Sequence, residues 1–123
     1  MPLNFADKET KAILRKISLF CAGKERSVFE VKTKLAHFET NEDKTEIIEW
    51  LYAENFLNDL RFATAFAIDK FRFNHWGKNK IKFMLKKHEL DETIIKQALQ
   101  KIDAQEYADE LRKMLKQKLK RKI

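Results

Sequence analysis

Two stretches of this chain, fifty residues apart, carry the same helix-building pattern. Ser27, Val31, Leu35 and Glu39 stand four apart, and Gly77, Ile81, Leu85 and Glu89 repeat that spacing. Residues four apart share one face of an α-helix, so each stretch presents an apolar pair on one side. After a gap read as three residues longer in the first copy, Ile47-Ile48 corresponds to Ile94-Ile95, and an amphipathic helix precedes each copy. The repeating unit is three helices over about 45 to 50 residues, a period of stacked helical arrays.

This unit predicts an all-α protein of tandem three-helix repeats, in an elongated right-handed or bundle-like array. Residues 1–54 form the first repeat, residues 55–102 the second, and residues 103–123 the opening helix of a third, incomplete one. Two glycines and one proline in 123 residues are too few for a turn-rich β-sandwich. No apolar run approaches the length of a bilayer span and no signal-peptide core opens the chain, so a cytoplasmic, membrane-free protein is expected. The single cysteine, Cys21, cannot form an internal disulfide, and its spacing from Ile13 and Ile17 makes it a small core residue.

Start signals divide the chain further. A first helix over residues 7–22 turns Ala12, Ile13, Ile17, Phe20 and Cys21 inward and stops at Gly23. Ser27 and Glu30 make a capping box for a helix carrying Val28, Val31 and Leu35, and Asp43 to Glu46 opens a third with Ile47, Ile48, Leu51 and Tyr52. Asn58 caps a helix over residues 59–74, the most apolar of the chain, where Phe62, Ala63, Phe66, Ala67 and Phe71 share a face. Leu60, Ala65, Ile68 and Phe73 occupy much of its remaining circumference, which predicts a central helix buried between neighbours. Gly77 is expected to take the turn geometry that leads into the next helix, with Ile81, Met84 and Leu85 inward. Asp91 caps the sixth helix, and Asp103 with Glu106 starts a seventh whose stripe is Tyr107, Ala108, Leu111, Leu115 and Leu119.

Charge separates the two halves. Residues 1–60 hold nine Lys/Arg against eleven Asp/Glu, net −2, and residues 61–123 hold seventeen against eight, net +9. A basic half suits a polyanion or an acidic protein groove, although a lysine-rich surface also serves plain solvation. Lys70, Arg72, Lys78, Lys80, Lys82 and Lys86 surround Phe73, His75 and Trp76, so cations that pair with phosphates or carboxylates are interleaved with rings that stack. Trp76 has a second reading, as a plug between two helices. Together with Arg112 and Lys116 on the basic last helix, Lys70, Arg72, His75, Trp76, Lys78, Lys80, Lys82 and Lys86 are the candidate binding residues. No catalytic, metal or cofactor site is expected. His37, His75 and His88 do not pair at ligand spacing with each other or with Cys21, and no glycine-rich phosphate loop or Gly-x-Ser-x-Gly elbow occurs. Glu46 and Glu49 lie three apart, as solvent-facing helix pairs commonly do.

The segments FLNDLRFATAFAIDKFRF, WGKNKIKFMLKKHEL and IIKQAL resemble the RecX family of bacterial regulators of the RecA recombinase. The stretch AGKERSVFEVKTKL is similar to that family's Arg-Ser-x-x-Glu-Leu-x-x-Lys-Leu signature, and the resemblance runs from about Lys11 to Leu119, most specifically over Asn58 to Ala63. It implies tandem three-helix repeats and a monomer that lies in the groove of the RecA filament. Suppression of filament growth, ATP hydrolysis, strand exchange and co-protease action would follow, with a role in DNA repair, recombination and the SOS response. Contact with single- or double-stranded DNA is also implied. The chain departs from the family pattern at His75-Trp76-Gly77-Lys78, where many members carry additional glycine or proline, and in ending after the first helix of the third repeat. The alternative from the residues alone is a basic helical DNA-binding protein acting without a recombinase.

Overall fold

The computed structural model describes residues 3–40, 42–102 and 104–122, which form seven α-helices and, among them, no strand. In order these are α1 (Lys8–Gly23), α2 (Val28–Leu35), α3 (Lys44–Ala53), α4 (Asp59–Asn74), α5 (Lys78–Lys87), α6 (Glu92–Gln100) and α7 (Ala104–Lys122). Side chains satisfy the free N–H groups at several starts. The Asp7 and Asp43 carboxylates accept from Glu9 and Thr45, and the Asn58 side chain accepts from Arg61 N–H at 2.9 Å. The capping box of α2 is complete, with Glu30 N–H donating to Ser27 Oγ and Ser27 N–H donating to the Glu30 carboxylate, both at 3.1 Å. Asp91 occupies the cap position of α6, but its side chain makes no capping hydrogen bond. The expected Asp103 cap of α7 lies outside the described residues.

Two separate cores follow from these helices. Ile13, Leu14, Ile17, Cys21, Val31, Leu35, Ile47, Leu51 and Leu57 form one. Phe62, Ala63, Ala67, Phe71, Ile81, Leu85, Leu90, Ile95, Ala98 and Ile102 form the other. A fifty-residue shift superposes Ile13 on Ala63, Ile17 on Ala67, Cys21 on Phe71, Val31 on Ile81 and Leu35 on Leu85, all of them buried. The third helix of each unit corrects the sequence register. Ile47 N–H bonds to Asp43 C=O and Ile95 N–H to Asp91 C=O, so Ile47 matches Ile95 rather than Ile94, and the first copy is two residues longer, not three. Burial agrees, since Ile47 and Ile95 are enclosed while Ile48 and Ile94 are half-buried.

Three further expectations change. On α1, Ala12 is exposed and Leu14 fills the core, because the helix turns its inward arc one position further round. Helix α4 buries Phe62, Ala63, Ala67 and Phe71, but Phe66 is only half-buried, Ala65 is exposed and Phe73 is 76% exposed. It packs mainly on α5 and α6 of its own unit, and Ala65 and Phe73 lie off that contact face. Gly77 is in the extended region (φ −75°, ψ 167°) as the cap of α5, and Gly23 is the last helical residue of α1 rather than a left-handed stop. The left-handed turn that ends α4 falls on His75 (φ 57°, ψ 35°), where Trp76 N–H reaches back to Lys70 C=O at 3.1 Å. Asn55 and Glu89 also have positive φ.

A largely polar seam joins the units. Arg61 Nε donates to the Glu25 carboxylate at 2.6 Å, and Arg61 also bonds the Asn55 and Phe56 carbonyls, locking the α3–α4 turn to the end of α1. His88 Nδ1 lies 2.8 Å from Ser27 Oγ, its ring packed near Phe29, Phe62 and Phe66, and Lys32 meets Glu89 at 3.2 Å. Tyr52 donates its hydroxyl to Asp59 at 2.7 Å, and burial with that bond raises the phenol pKa above its ordinary range. The start of α7 docks through Tyr107, stacked on Phe71 at 5.4 Å. Beyond it Leu111, Leu115 and Leu119 are 42%, 60% and 63% exposed, so the outer half of the expected stripe lies uncovered. No described helix is long and apolar enough to cross a membrane.

Candidate partner-binding surface

Trp76 sits at the α4–α5 corner because the left-handed His75 turns the chain back over the end of α4. The indole is half-buried against the second core and packs edge-on to Phe66 at 6.3 Å. Lys80 Nζ lies 4.4 Å and Lys70 Nζ 5.3 Å from its ring centroid. The two sequence readings of this ring therefore coexist: Trp76 closes the corner and holds two ammonium groups at the surface by cation–π attraction. Lys78 lies over Tyr107 at 5.0 Å, bridging α5 to α7. Lys82 is exposed on the next turn of α5.

Four of the five remaining candidates are already engaged within the molecule. Arg72 Nε donates to Glu106 at 2.7 Å, and this carboxylate raises the guanidinium pKa further. His75 Nδ1 meets Glu110 at 3.0 Å, Lys86 meets Glu92 at 3.2 Å, and Arg112 meets Asp109 at 3.4 Å. Lys116 lies on the exposed outer half of α7. Phe73, expected inside the cation cluster, points to solvent, and no cation stands over its ring among the described residues. The structure thus brings Lys70, Trp76 and Lys80 together and spends Arg72 and His75 on docking α7. Acidic residues one turn apart, Glu106 and Glu110, were the overlooked signal, since they offer carboxylates to the basic end of α4.

Other groups missed in the sequence come from across helix boundaries. Lys96 on α6 joins Lys78 and Lys82 around a groove floored by Ile95 and Leu99. Lys87 stands 4.7 Å over the exposed ring of Phe83. Burial lowers the pKa of His88, opposed by the nearby Glu30 carboxylate, which keeps the ring neutral at neutral pH. Ser27 Oγ, which accepts from Glu30 N–H, also shares a hydrogen bond with His88 Nδ1. Burial pushes the Cys21 thiol up to about 11, so it stays protonated and behaves as a core side chain.

Among family models, residues 58–99 match RecX, second three-helix domain. Neither curated proteins nor solved structures give a significant match. The match begins at the Asn58 cap and ends at Leu99 in α6, so it covers α4 and α5 whole and most of α6, together with Lys70, Trp76 and Lys80. Residues 58–99, about a third of the chain, are thus similar to the second three-helix domain of RecX.

Proposed function

We propose that this protein binds the filament of a RecA-type recombinase as a cytoplasmic monomer and restrains its ATP hydrolysis, strand exchange and co-protease action without itself catalysing a reaction. The observation that carries this reading is the family match over residues 58–99, the same segment that bears the basic surface. Residues 1–54 and 55–102 act as the two repeat units, and α7 begins a further one. Lys70, Trp76, Lys78, Lys80 and Lys82 supply the contact, with Lys116 extending it. Arg72, His75, Lys86 and Arg112 have a supporting role, because each is already paired to a carboxylate of its own chain. Co-sedimentation with recombinase preassembled on single-stranded DNA, compared with DNA alone, tests the proposal, together with the ATPase rate of the same filaments. Binding that needs the recombinase and slows ATP hydrolysis is expected. Equal recovery with naked DNA, falling steeply with salt, would instead favour a DNA-binding protein, the reading supported by the two lysines at the Trp76 ring.

A further inference from the structure

We infer that the groove between α5 and α6 is a docking site for an acidic amphipathic helix, a segment in which a leucine-like side chain is flanked by carboxylates. The inference rests on the reading of this chain as a partner-binding regulator and names the kind of segment it grips. The groove has a volume of about 400 Å³, enough to take side chains from a docked segment. Ile95 and Leu99 floor it, with the Leu99 side chain half-buried. Lys78 and Lys82, one turn apart on α5, stand along one wall, and Lys96 on α6 along the other.

Charge is what selects the occupant. Lys82 and Lys96 have no ion-pair partner among the described residues, and Lys78 faces only the Tyr107 ring. Glu92, the one acid of the lining, is already paired with Lys86 at 3.2 Å. An apolar trough between unpaired ammonium groups complements a helix with an apolar edge and acidic flanks, the arrangement of helix-in-groove recognition. Nucleic acid fits less well. The floor is aliphatic and offers no ring on which a base stacks. This groove is therefore separate in chemistry from the Trp76 corner, although both use α5.

The test uses the full chain and a fluorescein-labelled helical peptide of leucine and glutamate on an alanine background. Binding is followed by anisotropy, and the contact surface by amide and methyl shifts in NMR spectra. The peptide should bind with shifts at Lys82, Lys96 and Leu99, and the double variant Lys82→Glu with Lys96→Glu should weaken it by at least about tenfold. Both residues are exposed, so the variant should melt as the wild type does, and its melting curve checks this. A control peptide with serine for leucine must bind clearly more weakly. Equal binding of that control, no binding of the leucine peptide, or shifts elsewhere would overturn the inference. So would an oligothymidylate that binds the same residues more tightly than the peptide. The filament ATPase assay separates the two readings: inhibition that persists in the double variant sinks the groove alone, and peptide binding without inhibition sinks only the recombinase proposal.

Discussion

The two three-helix units share a framework and differ in almost everything outside it. Five buried positions coincide under a fifty-residue shift through the first two helices, yet the half containing the first unit is net −2 and the remainder net +9. Even inside, the shared positions are filled differently. Helix α1 places Ile13 and Ile17 where α4 places Ala63 and Ala67, and α4 recovers the lost volume with Phe71 and Phe62. Small residues let α4 approach α6 closely, whereas α1 keeps its neighbours at branched-side-chain distance. Burial at a fixed spacing is thus what defines the unit. Side-chain size and surface charge are free to diverge, and the divergence concentrates positive charge on the second half of the chain.

The largest effects should come from the shared framework. Leu35→Ala and Leu85→Ala, matched and both fully enclosed, should each cost about 2 to 5 kcal/mol in urea unfolding. Costs that differ well beyond this range would break the equivalence of the two units. Where the fillings differ, exchange should be harmful in both directions. Ile17→Ala opens a cavity, again about 2 to 5 kcal/mol, and Ala67→Ile overpacks the α4–α6 contact for about 1 to 3 kcal/mol. Phe66→Ala should cost less than the roughly 3 to 5 kcal/mol of an enclosed ring, because its side chain is only half-buried.

The caps sharpen the comparison on a smaller scale. Ser27→Ala removes both a helix cap and the His88 partner, for about 0.5 to 2 kcal/mol. Gly77→Ser should stabilise by a few tenths of a kcal/mol, roughly, since serine caps better than glycine. An added Cβ there meets only Tyr107 Oη at 3.6 Å, an ordinary contact. Melting temperatures of the two variants check both signs.

The seam between the units adds a pH dependence. The His88 pKa is lowered in the folded chain, so between that value and the ordinary histidine pKa of about 6.5 the unfolded chain binds more protons. The contribution is complete above the ordinary pKa and is lost as pH falls through the folded one. Melting temperature should therefore drop on acidification below about pH 6.5 more for the wild type than for His88→Gln. Parallel curves would show that the Ser27–His88 contact does not report the joint between units.

Much of this was legible in residues. The seven helices, the Ser27–Glu30 box, the Asn58 cap and the apolar stripe of the last helix follow from local hydrogen bonding and from a 3.6-residue period, which depend on near neighbours in sequence. The left-handed corner was misplaced onto Gly77 because glycine marks where such geometry is cheap, not where it is used. His75 adopts it because α5 leaves α4 there. The central-helix reading failed at Ala65 and Phe73 for a related reason, since an apolar circumference says how much could be buried and not how many helices arrive to bury it.

What the sequence determined by itself is the number and order of the helices, most of their inward positions, the three-helix unit and the bias of positive charge toward the second half. Tertiary structure alone decided which charges remain available. Arg72, His75 and Lys86 look like Lys82 and Lys96 in a linear chain, but folding sets the first three beside Glu106, Glu110 and Glu92 and leaves the last two at a groove. Charge pairing acts over a few ångströms between residues on different helices, so it exists only once the helices have packed.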